Sequence, residues 1–134
     1  MNYIDTAPFY GEGKSEEVLG QALRRVPCHA YYIGTKVGKY AADWNNAFLF
    51  TEERILSLLE NSLQLPYVVD LIKIHDFEFC QDPEKIAMEP LPAVLEKIVK
   101  SGKARTIGMV TVIYTKTLQV ILLFSRLYKR TICV

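Results

Sequence analysis

Four polar residues in this sequence have the types that proton transfer to a carbonyl needs: Asp5, Tyr10, Lys36 and His75. A free tyrosine titrates near pH ~10. A neighbouring ammonium favours the phenolate and lowers that value, which makes the phenol a better acid. Lys36 can supply the ammonium. Asp5 can hold it charged and in place, since an unpaired buried ammonium is costly. His75 can hydrogen-bond a substrate oxygen and orient it. The set therefore describes general acid catalysis on a carbonyl.

Taken singly, each residue has a plainer reading. Asp5 alone is a turn former at a strand end, and Tyr10 alone is packing or loop. Lys36 alone is a solvated strand end or a Schiff-base lysine, but the latter leaves Asp5 and Tyr10 without a purpose. His75 alone is a core histidine. Its neighbour Asp76 raises the question of a metal, yet no His-x-His or second ligand pair is present, so no metal site is expected. Gly13-Lys14-Ser15 sits between a strand and a helix as a P-loop does, but Pro8 stands where that pattern requires glycine.

The elements that must bring the four together repeat one order, an apolar run followed by a helical pattern. The first run is 2–7, ending about Asp5, and Tyr10 lies in the loop that leaves it. Ser15 is expected to cap a helix to about Arg25, with Glu16 and Glu17 in the first turn and Val18, Leu19, Ala22 and Leu23 on its buried face. The second run, 31–36, ends on Lys36, and a long loop follows to about Phe50. Thr51 is expected to cap a helix with Ile55, Leu58, Leu59 and Leu63 inward, stopped by Pro66. The third run, 68–75, ends on His75. A helix over 91–100 has Val94, Leu95 and Ile98 on one face and a C-cap at Ser101-Gly102. The fourth run is 105–110.

Strands thus begin near residues 2, 31, 68 and 105, a spacing of roughly 30–40 residues that leaves room for one crossover helix each. Such alternation predicts an α/β fold with a parallel sheet, either open and doubly wound or closed as a (β/α)8 barrel. In both, active sites lie at the carboxyl ends of the strands, where Asp5, Lys36 and His75 fall. A barrel needs eight strands, so on that reading this chain supplies about half of one. After Thr111 the pattern degrades. Residues 1–111 are therefore taken as the partial barrel and 112–134 as a divergent C-terminal tail.

At this point the motifs resemble a known family. Asp5-Thr6-Ala7-Pro8-Phe9-Tyr10-Gly11, followed by Ser15-Glu16 and Leu19-Gly20, resembles the D-T-A-x-x-Y-G motif of the aldo-keto reductases. Gly34-Thr35-Lys36 is similar to that family's lysine strand, Ile74-His75-Asp76 to its histidine strand, and Gly102-Lys103-Ala104-Arg105-Thr106-Ile107-Gly108 to the approach to its next strand. The wording of 36–40 and 75–79 is most similar to the L-galactose dehydrogenase-like branch. The resemblance covers about residues 2–111.

It implies a partial TIM barrel of about four βα units and an oxidoreductase that uses NADP or NAD to interconvert carbonyl and alcohol groups of sugars or small carbonyl compounds. It implies Tyr10 as general acid/base, Lys36 as the residue that acidifies it, Asp5 as partner of Lys36, and His75 as the group that orients the carbonyl. Cofactor contacts fall on Asp5 and on Val110 and Thr111, where the family usually has a small polar pair for the nicotinamide amide. The family's phosphate-binding loops follow later strands, and the first strand and helix of its barrel precede residue 2. The alternative expectation is therefore a truncated chain that neither binds cofactor nor turns over.

Composition narrows the partners. The 134 residues are 50% hydrophobic with net charge +1 and no long block of one sign, so nucleic acid is not expected. No run approaches the ~20 apolar residues of a membrane span. The start is unlike a signal peptide, and three cysteines without ligand or disulfide spacing point to reduced thiols in the cytoplasm. The expected partner is a small carbonyl or sugar substrate; oligomeric state is not legible.

Overall fold

A computed structural model describes residues 2–43, 47–62, 69–80, 82 and 90–110. Its elements are β1 (Tyr3–Asp5), α1 (Lys14–Leu23), β2 (Tyr32–Val37), α2 (Glu52–Ser62), β3 (Val69–His75), α3 (Pro90–Lys100) and β4 (Ala104–Val110), with short 3-10 turns at Cys28–Ala30 and Phe77–Phe79. The four strands are parallel and lie side by side in chain order. Adjacent parallel strands need a crossover between them, and α1, α2 and α3 occupy those connections. The expected α/β arrangement is observed as four parallel strands and the three helices that join them. The expected tail 112–134 lies outside the described residues, as do Leu63 and Pro66.

The strand period of two sorts the side chains. Ile33 and Val37 of β2 and Ile72 and Ile74 of β3 are buried among the helices. The main core joins Val37, Ile72, Ile74 and Met109 of the sheet to Ile55 and Leu59 of α2 and Leu91, Val94, Leu95 and Ile98 of α3. A smaller cluster packs Leu23, Tyr31 and Ile33 with Ile4 and Leu19. The alternate positions Tyr3, Asp5, Gly34, Lys36, Lys73 and His75 share the opposite face, where the polar side chains gather.

Helix boundaries follow from their caps. At the start of α2 the Arg54 amide donates to the Thr51 hydroxyl at 3.4 Å, as the sequence predicts. At the end of α3, Gly102 adopts φ 75°, the Gly102 amide donates to the Val99 carbonyl at 3.0 Å and the Lys103 amide to the Ile98 carbonyl at 3.2 Å. This pair of bonds is a Schellman motif and turns the chain directly into β4.

The first helix departs from expectation in three ways. Its N-cap is Gly13, in the left-handed region at φ 89°, with no side-chain cap, and it ends at Leu23. Ser15 lies inside the helix and its hydroxyl pairs with that of Thr6 at 3.0 Å. The buried face runs through Glu16, Gly20 and Leu23, while Val18 is 55% exposed and Ala22 is exposed. The cause is Glu16, which accepts a hydrogen bond from the buried Thr35 hydroxyl on β2. That bond turns the helix so that a carboxylate, not Val18, meets the sheet.

Candidate active site

Parallel register sets the relative heights of the candidate residues. Asp5 pairs with Gly34, so Lys36 stands two residues farther along. Lys36 pairs with Lys73, so His75 stands two residues beyond that. Each step is about 6.6 Å at ~3.3 Å per residue, which places Asp5, Lys36 and His75 on a slope rising to the carboxyl edge. The loop after β1 makes a tight turn, with the Tyr10 amide donating to the Ala7 carbonyl at 3.0 Å. Gly11, Glu12 and Gly13 all take positive φ. This folds Tyr10 back over the strand it left.

Lys36 is the centre of the cluster. Its side chain is only 2% exposed, and an ammonium carries three N–H donors. All three are used: on Asp5 Oδ2 at 2.7 Å, on the Thr6 carbonyl at 3.0 Å and on the Tyr10 hydroxyl at 2.8 Å. The cation also lies 4.3 Å from the centroid of the Tyr10 ring. Because the Tyr10 oxygen accepts from Lys36, its own O–H remains free to donate elsewhere, and Tyr10 is 38% exposed. The bond direction thus leaves the phenol proton available to a molecule at the rim.

Asp5 is held from two sides. Lys36 takes one carboxylate oxygen and Lys73 of β3 takes the other. Burial works to raise the Asp5 carboxyl, but the hydrogen bonds from the two lysines outweigh it and hold it below the usual carboxylate value. For Lys73, burial works to lower the ammonium, yet the Asp5 partnership dominates and raises it.

His75 is joined to the cluster by its ring. It meets Tyr10 edge-on, with centroids 6.2 Å apart and planes at 90°, and Phe9 in a similar contact at 6.2 Å. Its Nδ1 is buried without a hydrogen-bond partner among the described residues. Burial pushes the imidazole below its ordinary value. Asp76 opposes that, while Lys36 and Lys39 reinforce it. A neutral imidazole offers one N–H donor, so His75 suits donation to a neutral oxygen.

All four predicted residues therefore come together. Two of the three expected cofactor contacts, Asp5 and Val110, lie among the described residues. Val110 pairs with His75 across β3 and β4, its carbonyl accepts the Asp76 amide at 3.0 Å, and its side chain is apolar; Thr111 lies outside the described residues. Asp5, the third, has both oxygens engaged by lysines.

Sequence reasoning missed Lys73, which reads as a polar interruption in mid-strand, and Lys39, which reads as a loop lysine. Their face and partners are set by strand alternation for the first and loop conformation for the second. Alternation in β3 does place Lys73 on the same side as His75, and that signal was available. A cavity of about 640 Å³ between α1 and α2, with Glu16, Tyr40 and Arg54 in its wall, is separate from this cluster.

Among the described residues no helix is long and apolar enough to cross a membrane. The sequence profile of the Aldo/keto reductase family matches residues 1–128. L-galactose dehydrogenase of Arabidopsis thaliana is 39% identical over 114 residues, covering 81% of this chain and 34% of that protein. The structure of the glycerol dehydrogenase AKR11B4 of Gluconobacter oxydans is similar with TM-score 0.71 and 29% identity, over 91% of this chain and 37% of that one. An aldo-keto reductase of Klebsiella pneumoniae, solved in complex with NADPH, is similar with TM-score 0.63 and 27% identity, over 91% and 38%. The chain thus spans roughly a third of the length of these relatives and forms the matching part of their barrels. On the family match and on the Arabidopsis likeness, this chain belongs to the aldo/keto reductase family.

Proposed function

We propose that this chain carries the proton-transfer centre of an NADP- or NAD-dependent oxidoreductase that interconverts carbonyl and alcohol groups of sugars or small carbonyl compounds. The supporting observation is the fully used ammonium of Lys36, which donates to the Tyr10 oxygen and leaves the phenol proton outward. Tyr10 is the general acid in reduction and the general base in oxidation. Lys36 stabilises the negative charge that develops on the Tyr10 oxygen as its proton leaves. Asp5 keeps Lys36 in place, and Lys73 keeps Asp5 in place. His75, neutral, donates to the substrate oxygen and sets its approach.

A bound nicotinamide would supply or accept the hydride. Asp5, Val110 and Thr111 are the residues of this chain proposed to meet it, while Tyr10, Lys36 and His75 handle the proton and the substrate oxygen. Free thiols at Cys28 and Cys80 fit work in the reducing cytoplasm. A second reading, a chain without turnover, draws on Val110, whose side chain offers no hydrogen bond where the resemblance calls for a polar contact.

The test is oxidation of NADPH or NADH by the protein that contains this chain, with aldoses and small aldehydes, compared with its Tyr10→Phe variant. The expected outcome is turnover in the parent and a loss of roughly 10²–10⁴-fold in kcat with unchanged cofactor affinity. Equal rates would remove Tyr10 from the mechanism. Absence of turnover and of cofactor binding in the parent would leave the second reading standing.

A further inference from the structure

The residue that follows His75 is held by a lysine from another loop. Asp76 takes positive φ, 50°, a conformation that Asp tolerates better than most side chains. Its amide is fixed on the Val110 carbonyl. Its carboxylate Oδ2 pairs with Lys39 Nζ at 2.6 Å, with side chains 10% and 24% exposed. The same Oδ2 lies 3.8 Å from His75 Nε2, beyond hydrogen-bond reach. Lys39 in turn rests 4.8 Å from the centroid of Phe9, the ring that meets His75 edge-on.

We propose that Lys39 is a positioning residue for His75: by engaging Asp76 Oδ2 it keeps the nearest carboxylate off the imidazole and leaves Nε2 for the substrate oxygen. This rests on the role given to His75 above. Without Lys39, the Asp76 carboxylate loses its cation, and the imidazole, 3.8 Å from Oδ2, is left as the neighbouring donor. A carboxylate that reaches an imidazole favours its charged form and consumes its N–H. Among the described residues, the charged and titratable groups around His75 are Asp5 on β1, Tyr10 in the loop after β1, Lys36 on β2, Lys39 in the loop after β2, and Asp76 itself. Of these, Lys39 and Asp76 can be exchanged without altering Asp5, Tyr10 or Lys36.

The chain has two histidines, so imidazole NMR titration of the full chain reads His75 directly, with His29→Gln assigning the second signal. The expected result is that Lys39→Met moves the His75 midpoint up, by about one pH unit or more. Asp76→Asn should move it down, Lys39→Arg should restore the parent value, and the Lys39→Met/Asp76→Asn double variant should lack the rise. An unchanged or lowered midpoint in Lys39→Met would overturn the proposal. So would a rise of similar size in the double variant, or a rise in both single variants, which reports general loosening. None of these readouts uses turnover, so the proposal can fail while the Tyr10 assignment holds, and the reverse.

Discussion

Lys36 Nζ lies 2.8 Å from the Tyr10 hydroxyl, and the lysine comes from the middle strand pair while the tyrosine comes from a loop. The contact joins two segments that share no helix and no strand. The same nitrogen anchors Asp5 and the Thr6 carbonyl, so removing it changes three partners at once.

On the proposed mechanism, Lys36→Met should therefore lower turnover of the protein containing this chain by about 10²-fold or more, since the charge proposed to stabilise the Tyr10 oxygen is lost. It should also raise the Asp5 carboxyl, because burial would then face only Lys73. Carboxyl-detected NMR of Asp5 checks the second outcome independently of the first. A carboxyl that stays where it was would show that Lys36 does not control Asp5.

Stability should depend on pH at three places, with signs set by the shifts. The Asp5 carboxyl lies below its ordinary 3.8, so its contribution is present above that value and is lost as pH falls through the folded one. Lys73 lies above its ordinary 10.5, so the same pair contributes below that value and is lost as pH rises through the folded one. His75 lies below its ordinary 6.5, so its neutral state favours folding above 6.5 and costs stability as pH falls. Melting temperature against pH should step down below 6.5 in the parent and lack that step in His75→Asn. Lys73→Met should lack the alkaline decline.

Two glycines on β2 and its exit should respond differently to alanine. Gly38 sits at φ 108°, and a Cβ there would overlap the Phe50 ring, which is buried in the core. Gly38→Ala should cost about 1–3 kcal/mol from backbone strain alone, with repacking of Phe50 added. A Cβ on Gly34 would meet the end of the Tyr3 side chain, which is 40% exposed and can swing away. Chemical denaturation of both variants should rank Gly38→Ala as the more damaging; the opposite order would contradict the rigid placement of Phe50.

The faces of the helices make a further contrast. Leu95 of α3 is fully buried in the main core, and Leu95→Ala should cost about 2–5 kcal/mol. Val18→Ser on α1 should change stability by less than about 0.5 kcal/mol, although the sequence places Val18 on the apolar stripe. Equal losses would return Val18 to the core.

The strands and the gathering of the four candidate residues were legible because local order carries them. Asp5, Lys36 and His75 each close an apolar run, and parallel strands put such ends on one rim. The Schellman end of α3 was legible for the same reason, since Ser101-Gly102 is a local signal. What escaped was set by contacts distant in sequence. Glu16 reads as an acidic first-turn residue that favours the helix dipole, yet its bond to Thr35 fixes how α1 rolls. Ser15 reads as a cap, yet its hydroxyl is taken by Thr6, and Gly13 starts the helix through its backbone alone. Lys39 and Lys73 acquire meaning only when the loop after β2 and the register of β3 are known.

Strand β1 is only three residues long and is paired with β2 alone among the described strands. Its backbone ladder is extended by little more than Tyr32 amide to Asn2 carbonyl at one end and Thr6 amide to Gly34 carbonyl at the other. The polar clasp of Asp5, Thr6 and Tyr10 on Lys36 therefore also fastens the first strand to the sheet. Local opening of that strand would dismantle the proposed proton donor while the core around α2 and α3 stayed closed. Amide hydrogen exchange at Thr6 should accordingly track the lifetime of a competent site, whereas exchange at Ile72 tracks global unfolding. On the proposed function, inactivation by heat or mild denaturant would then precede loss of helix, with the polar rim failing as a unit of its own.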